Sequence, residues 1–192
     1  MKKFKFLMIL TVFLLLNILW AQTSSVLLIY DGEKEATNLS SIGFWTAPEG
    51  CKAEEVKGNA RSGEKSIKIY FKWGSWWAGM GLNWAKWNIK DKVFDLSNFD
   101  TLELWIKAET ENTVTLLLTL AQAPESPEGK EKYSDKATIS GGIPNTWTKI
   151  SVPISVFKGV DLKRIWGMSI EVTGIPAGEL TLYVDDISFL KK

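Results

Sequence analysis

No window of this sequence sustains the 3.6-residue apolar period of an amphipathic helix; from Ser25 onward its apolar residues alternate. The alternating runs are 26–30, 66–71, 77–83, 101–108, 113–121, 136–140, 148–153, 165–172 and 180–190. Turn-formers separate them, among them Asp31-Gly32, Ser62-Gly63, Gly141-Gly142, Pro144-Asn145, Gly174 and Gly178. Many short strands joined by polar turns predict an all-β, single-domain β-sandwich over residues 22–192. The Pro- and charge-rich stretch 122–135 is expected to be a long exposed loop. At 45% hydrophobic and 23% charged residues, the chain is neither disordered nor an integral membrane protein.

Strand parity separates the core side chains from the rest. In 101–108, Leu102, Leu104, Ile106 and Ala108 share one face, and Glu103, Trp105 and Lys107 share the other. A tryptophan flanked by two charges is a poor core residue. In 77–83, Trp77, Gly79, Gly81 and Asn83 oppose Ala78, Met80 and Leu82. Two glycines on one face leave a floor free of side chains. If these strands share a sheet, its outer face is a shallow groove with aromatic walls.

Ten tryptophans in 192 residues sharpen that expectation. Sugar rings present C–H patches that lie against indole faces, and their hydroxyls need polar partners. Fully burying one indole removes about 150–250 Å² from water, a gross gain of roughly 4–6 kcal/mol that association costs much reduce. Two or three such platforms suffice for weak glycan binding. Trp77 and Trp105 are the expected stacking platforms, with Asn83, Glu103 and Lys107 reading hydroxyls and Trp45, Trp84 and Trp87 as further candidate contacts. Trp166 shares the parity of Met168 and Ile170 and is expected in the core.

Several function classes are excluded outright. Histidine is absent, which removes Ser-His-Asp and Cys-His nucleophiles, histidine bases and imidazole metal sites. The lone Cys51 forms no disulfide within the chain and no thiolate cluster. A formal charge of +1 without a basic patch leaves no footprint for nucleic acid. The segment 1–21 reads as a secretory signal: Lys2, Lys3 and Lys5 precede an apolar run over 6–20, and Ala21 offers a cleavage point. The run is shorter than the ~20 residues that span a bilayer. The expected location is therefore extracellular or periplasmic, with no membrane attachment after cleavage.

In the closing run LYVDDISFL, Asp185 has the parity of Ile187 and Phe189, so it is expected to point at the core. A carboxylate there must be paired, hydrogen-bonded or metal-bound. Asp31 and Glu33 end the first run, and oxygen-only ligands favour a hard cation, above all Ca²⁺.

IYDGE, ARSGEKSIKIYF, WWAGMGLNW, FDLSNFDTLELWIK, PNTWTKISVPISVF and LYVDDISFL, in that order, resemble the β-jelly-roll carbohydrate-binding modules of the galactose-binding-like superfold. The nearest likeness is to family 11 and related modules attached to β-glucan hydrolases. The resemblance implies a non-catalytic module that binds a β-glucan-type polysaccharide on a concave sheet. It also implies a structural calcium held by Glu33 and Asp185 with backbone carbonyls of Ser62 and Lys65. Such modules are normally appended to a catalytic domain, whereas here the module is expected to follow a signal segment directly, with no further domain expected after it. A separate glycoside hydrolase is then the partner implied.

Two alternatives stand beside this expectation. A small jelly-roll glycoside hydrolase needs two carboxyl groups about 5–10 Å apart. Glu103 has no acidic neighbour at 101 or 105 and Glu171 is alone on its strand, which leaves a cross-strand pairing of these two. The other is a secreted protein-interaction or adhesion domain, against which the paired glycines argue.

Overall fold

The structure, a computed structural model, describes residues 26–33, 42–84, 87, 93–126, 128–174 and 176–191. The signal segment 1–21 lies outside the described residues. Two antiparallel sheets face each other. The first holds β1 (Val26–Tyr30), β3 (Lys52–Lys57), β4 (Lys65–Trp73), β6 (Thr101–Ala108), β10 (Thr148–Pro153) and β12 (Gly178–Leu190). Its order is β10-β6-β12-β4-β3, with β1 beside the far end of β12. The second holds β2 (Gly43–Ala47), β5 (Trp77–Asn83), β7 (Thr115–Gln122), β8 (Lys132–Tyr133), β9 (Ala137–Ile139) and β11 (Ile165–Thr173). Its order is β2-β5-β11-β7-β8, and β9 also pairs with β7.

The core lies between the sheets, filled by the alternate residues that parity assigns inward. Ile67, Ile69, Phe71, Leu102, Leu104, Ile106, Leu182 and Val184 meet Ala78, Met80, Leu82, Leu116, Leu118, Leu120, Met168, Ile170 and Val172. Each of the expected alternating runs contains a strand. Three strands carry no such signal: β2 is a five-residue edge strand, β3 (KAEEVK) is a charged edge, and β8 is a two-residue pairing inside the 122–135 stretch. Charge on an edge strand discourages pairing with other chains and erases the alternation that marks a strand.

Two bulges interrupt the strands, and the first overturns a parity assignment. In β12 the register against β6 slips between Asp185 and Ser188, where Asp186 takes φ +47°. Leu182 and Val184 face the core before the slip, and Ile187 and Phe189 after it. Asp185 therefore points away from the core, opposite the outward Trp105. In β11 the register against β7 slips between Ile165 and Gly167. Trp166 is buried, as expected, in a small second core cluster with Ala121, Ala123 and Val93.

Candidate functional site

The condition under which Trp77 and Trp105 would share a groove is not met. Trp77 is on β5 of the second sheet and Trp105 on β6 of the first, so their outer faces look in opposite directions. Glu103 and Glu171 are divided in the same way, which removes the cross-strand carboxylate pair a hydrolase would need.

On the first sheet, Trp105 has the Arg61 guanidinium stacked 4.3 Å from its ring centre. Lys107 lies 5.3 Å from the Trp147 ring and 5.1 Å from the Tyr183 ring, and donates to Asn59 Oδ1 at 3.1 Å. Glu103 accepts from Lys149 Nζ at 3.2 Å and Ser151 Oγ at 2.9 Å. Trp105, Glu103 and Lys107 thus stand on an outer face, as parity indicates, with their binding capacity engaged by neighbouring side chains.

On the second sheet the outer face is built as three rungs crossing the strands. One rung runs Gly43, Asn83, Gly167, Ala121 and Tyr133. The next runs Trp45, Gly81, Ser169 and Thr119, and the third runs Ala47, Gly79, Glu171, Leu117 and Thr138. The glycines are where the indoles lie. A Cβ on Gly81 would sit 1.7 Å from Trp45 Nε1, one on Gly43 2.4 Å from Trp87 Cζ3, and one on Gly79 2.7 Å from Trp77 Cζ2. These three glycines exist because a tryptophan rests on each. The three indoles stand along β2 and β5, over the four-residue offset from Gly79 to Asn83, about 13 Å of strand.

The adjoining strand supplies polar groups. Glu171, 7% exposed, accepts from Trp77 Nε1 at 2.7 Å, Lys136 Nζ at 2.6 Å and Ser169 Oγ at 3.1 Å. Ser169 Oγ also hydrogen-bonds Thr119 Oγ1. Glu171 thereby holds the Trp77 indole by its edge and leaves the ring plane for contact. Trp45, Thr119, Tyr133, Ser134, Lys136, Ser169 and Glu171 line a shallow trough of about 310 Å³. Burial and the adjacent Glu131 push the Tyr133 hydroxyl well above its ordinary range, so it remains protonated and donates to Glu131 Oε2 at 2.5 Å. A larger cleft of about 430 Å³, lined by Trp73, 110–114, Glu179 and Leu180, lies at the end of the sandwich and offers no exposed ring.

Two other expected contacts prove to be supports. Trp84 is fully buried, stacked on Phe94 at 5.7 Å and edge-on to Phe189. Asn83, 3% exposed, accepts the Trp87 backbone N–H at 2.9 Å and so fixes the residue that presents the third indole. Lys136, Ser169, Thr119 and Tyr133 carry no sequence signal of their own. Glu171 carried one: a single acid within an apolar strand.

The residues assigned to calcium gather at the 61–65 loop. Glu33 Oε1 accepts the backbone N–H groups of Glu64 and Lys65. Gly32 permits that approach, with φ +73° and Lys65 O only 2.1 Å from where its Cβ would be. Asp185 is wholly buried beneath the loop and accepts backbone N–H groups of Arg61 at 2.8 Å, Ser62 at 3.4 Å and Asp186 at 2.8 Å. Burial pushes its carboxyl above the usual carboxylate range, against the pull of those donors. The Arg61 guanidinium is bonded to Asp186 instead, at 2.7 Å. The recorded partners of the Asp185 and Glu33 carboxylates are thus neutral backbone N–H groups, and Asp186 beside them is paired with Arg61 and Ser62. Among the described residues no cluster of three or more acids, thiols or imidazoles accompanies it.

The family profile described as carbohydrate binding domain 30 matches residues 36–191. The fold is similar to the family 30 carbohydrate-binding module of a cellulosomal cellulase of Clostridium thermocellum: TM-score 0.63, 16% identity, 88% of this chain and 98% of that one. It is also similar to a family 11 module of Clostridium thermocellum in complex with a β-1,3-1,4-mixed-linked tetrasaccharide (TM-score 0.59, 15% identity, 86% and 95% covered). A xylan-binding domain of Paenibacillus barcinonensis has TM-score 0.53 at 16% identity, with 90% and 98% covered. A comparison with curated proteins gave no match.

Proposed function

The chain belongs to the carbohydrate binding domain 30 family of non-catalytic, polysaccharide-binding modules, and we propose that it holds a β-glucan-type chain on the outer face of its second sheet. Trp45, Trp77 and Trp87 supply the apolar ring faces, and Lys136 meets the sugar hydroxyls above a trough floor of Glu171, Ser169 and Thr119. The observation that carries this reading is the seating of three indoles on Gly81, Gly79 and Gly43 of one sheet face. Such a cluster presents apolar ring faces beside polar groups, which suits a sugar chain with both C–H and hydroxyl surfaces.

Affinity electrophoresis through gels containing mixed-linkage β-glucan, xyloglucan, glucomannan, xylan or starch tests it. Retardation by β-glucan and loss of that retardation in Trp45→Ala is the expected result. Retardation only by starch, or by no polymer, would overturn the β-glucan assignment.

Two further elements belong to the proposal. A structural Ca²⁺ at Glu33, Asp185 and the carbonyls of Ser62 and Lys65 ties the first strand to the last and supplies no chemistry; its support is the complete burial of the Asp185 carboxylate, whose recorded partners are neutral backbone N–H groups. Export through the 1–21 segment places the module with a separate glycoside hydrolase outside the cytoplasm; secreted protein beginning at Gln22 is the expected product.

A further inference from the structure

The three indoles stand in line along β2 and β5, yet the trough that Trp45 borders runs at right angles to that line. Its residues come from β2 (Trp45), β11 (Ser169, Glu171), β7 (Thr119) and the 133–136 segment (Tyr133, Ser134, Lys136). The far wall is built by the stretch after β7. Gln122 and Ala121 pair with Lys132 and Tyr133, and Ser134 exchanges hydrogen bonds with Leu120, its N–H donating to the carbonyl and its Oγ accepting the amide. Asp135 N–H donates to Lys158 O, which anchors the segment from the other side. What these bonds present to the trough is Tyr133, 44% exposed, its hydroxyl held by Glu131 so that the ring is fixed.

We propose that Tyr133 is a further stacking platform, and that the glycan crosses the strands from Trp45 to Tyr133 over Ser169 and Thr119. This rests on the sheet-face reading above and adds a direction and a far subsite to it. Four strand spacings, about 19 Å, separate β2 from β8, so the path holds several sugar units. Trp77 and Trp87 then flank the chain instead of lying in series beneath it. The competing path runs along β5 beyond Trp77, where the next aromatic surface is Trp76, 58% exposed on the preceding turn.

The test is titration calorimetry of the full protein with soluble mixed-linkage β-glucan and with cello-oligosaccharides of increasing length. Tyr133→Ala is expected to weaken polymer binding about tenfold, more for long than for short oligosaccharides. Tyr133→Phe keeps the ring and is expected to bind as wild type, and Trp76→Ala likewise. Unchanged affinity in Tyr133→Ala, or loss in Trp76→Ala without loss in Tyr133→Ala, would overturn the crossing path. If Trp45→Ala also binds as wild type, the sheet-face reading itself fails and the Tyr133 assignment with it. Melting temperatures within a few degrees of wild type establish that each variant is folded.

Discussion

Gly81→Ala separates the sheet-face account from a general role of tryptophan in the core. The added Cβ would stand 1.7 Å from Trp45 Nε1 and 2.3 Å from Cε2, whereas ordinary contact begins at 3.4 Å. The indole must therefore retreat by about 2 Å or tip off the sheet. The backbone at Gly81 is not left-handed, so alanine is conformationally acceptable there, and replacing a strand glycine contributes about 0.5–1 kcal/mol of stability. The forced retreat of a rigid indole offsets that gain, so the Tm is expected to change by no more than a few degrees. A sugar covering one indole face removes about half of its 150–250 Å² from water, or roughly 2–3 kcal/mol gross. Association costs reduce this to about 1.4 kcal/mol, a tenfold weaker Kd. Calorimetry with mixed-linkage β-glucan reads the affinity, and thermal unfolding reads the fold. Wild-type affinity in a well-folded Gly81→Ala would refute the claim that Trp45 binds from its seat on this glycine.

Trp105→Ala is expected to leave glycan retention unchanged, because its ring faces away from the groove and is covered by Arg61; lost retardation in affinity gels would contradict this. Glu171→Gln removes the charge that meets Lys136 and leaves one accepting oxygen where two served Trp77, Lys136 and Ser169, at a cost of about 1–3 kcal/mol. A Tm lower by several degrees together with weaker binding is the expected outcome, at about 2–4 °C per kcal/mol for a domain this size. A chelator is expected to lower the Tm of wild type and to leave Asp185→Ala unmoved; a wild-type Tm indifferent to both chelator and added Ca²⁺ speaks against the metal.

What the sequence made legible was local. The face carrying Trp77, Gly79, Gly81 and Asn83 follows from strand parity, and that face is the groove floor. Which sheet a strand joins is set by long-range pairing, so nothing near Trp105 told that it and Trp77 would look in opposite directions. The position of Asp185 was misread because a bulge at Asp186 inverts parity within one strand. Aspartate tolerates a left-handed φ better than most residues, but the Asp-Asp pair does not announce one. Trp84 and Trp87 look alike in sequence. One is sealed against Phe94 and Phe189, and the other is lifted out on a backbone with φ +57° that Asn83 holds. The 122–135 stretch has the composition of a solvated loop, yet a two-residue pairing and a buried serine make its end a wall of the groove.

The central claim is that one sheet face, and not the other, meets the glycan. Indole N–H resonances of the ¹⁵N-labelled protein, assigned by single Trp→Phe variants and followed during titration with a mixed-linkage glucan oligosaccharide, test it residue by residue. The account predicts that the Trp45, Trp77 and Trp87 signals move while those of Trp84, Trp105 and Trp147 stay. Movement of Trp105 and Trp147 with Trp45 and Trp77 unmoved would contradict it.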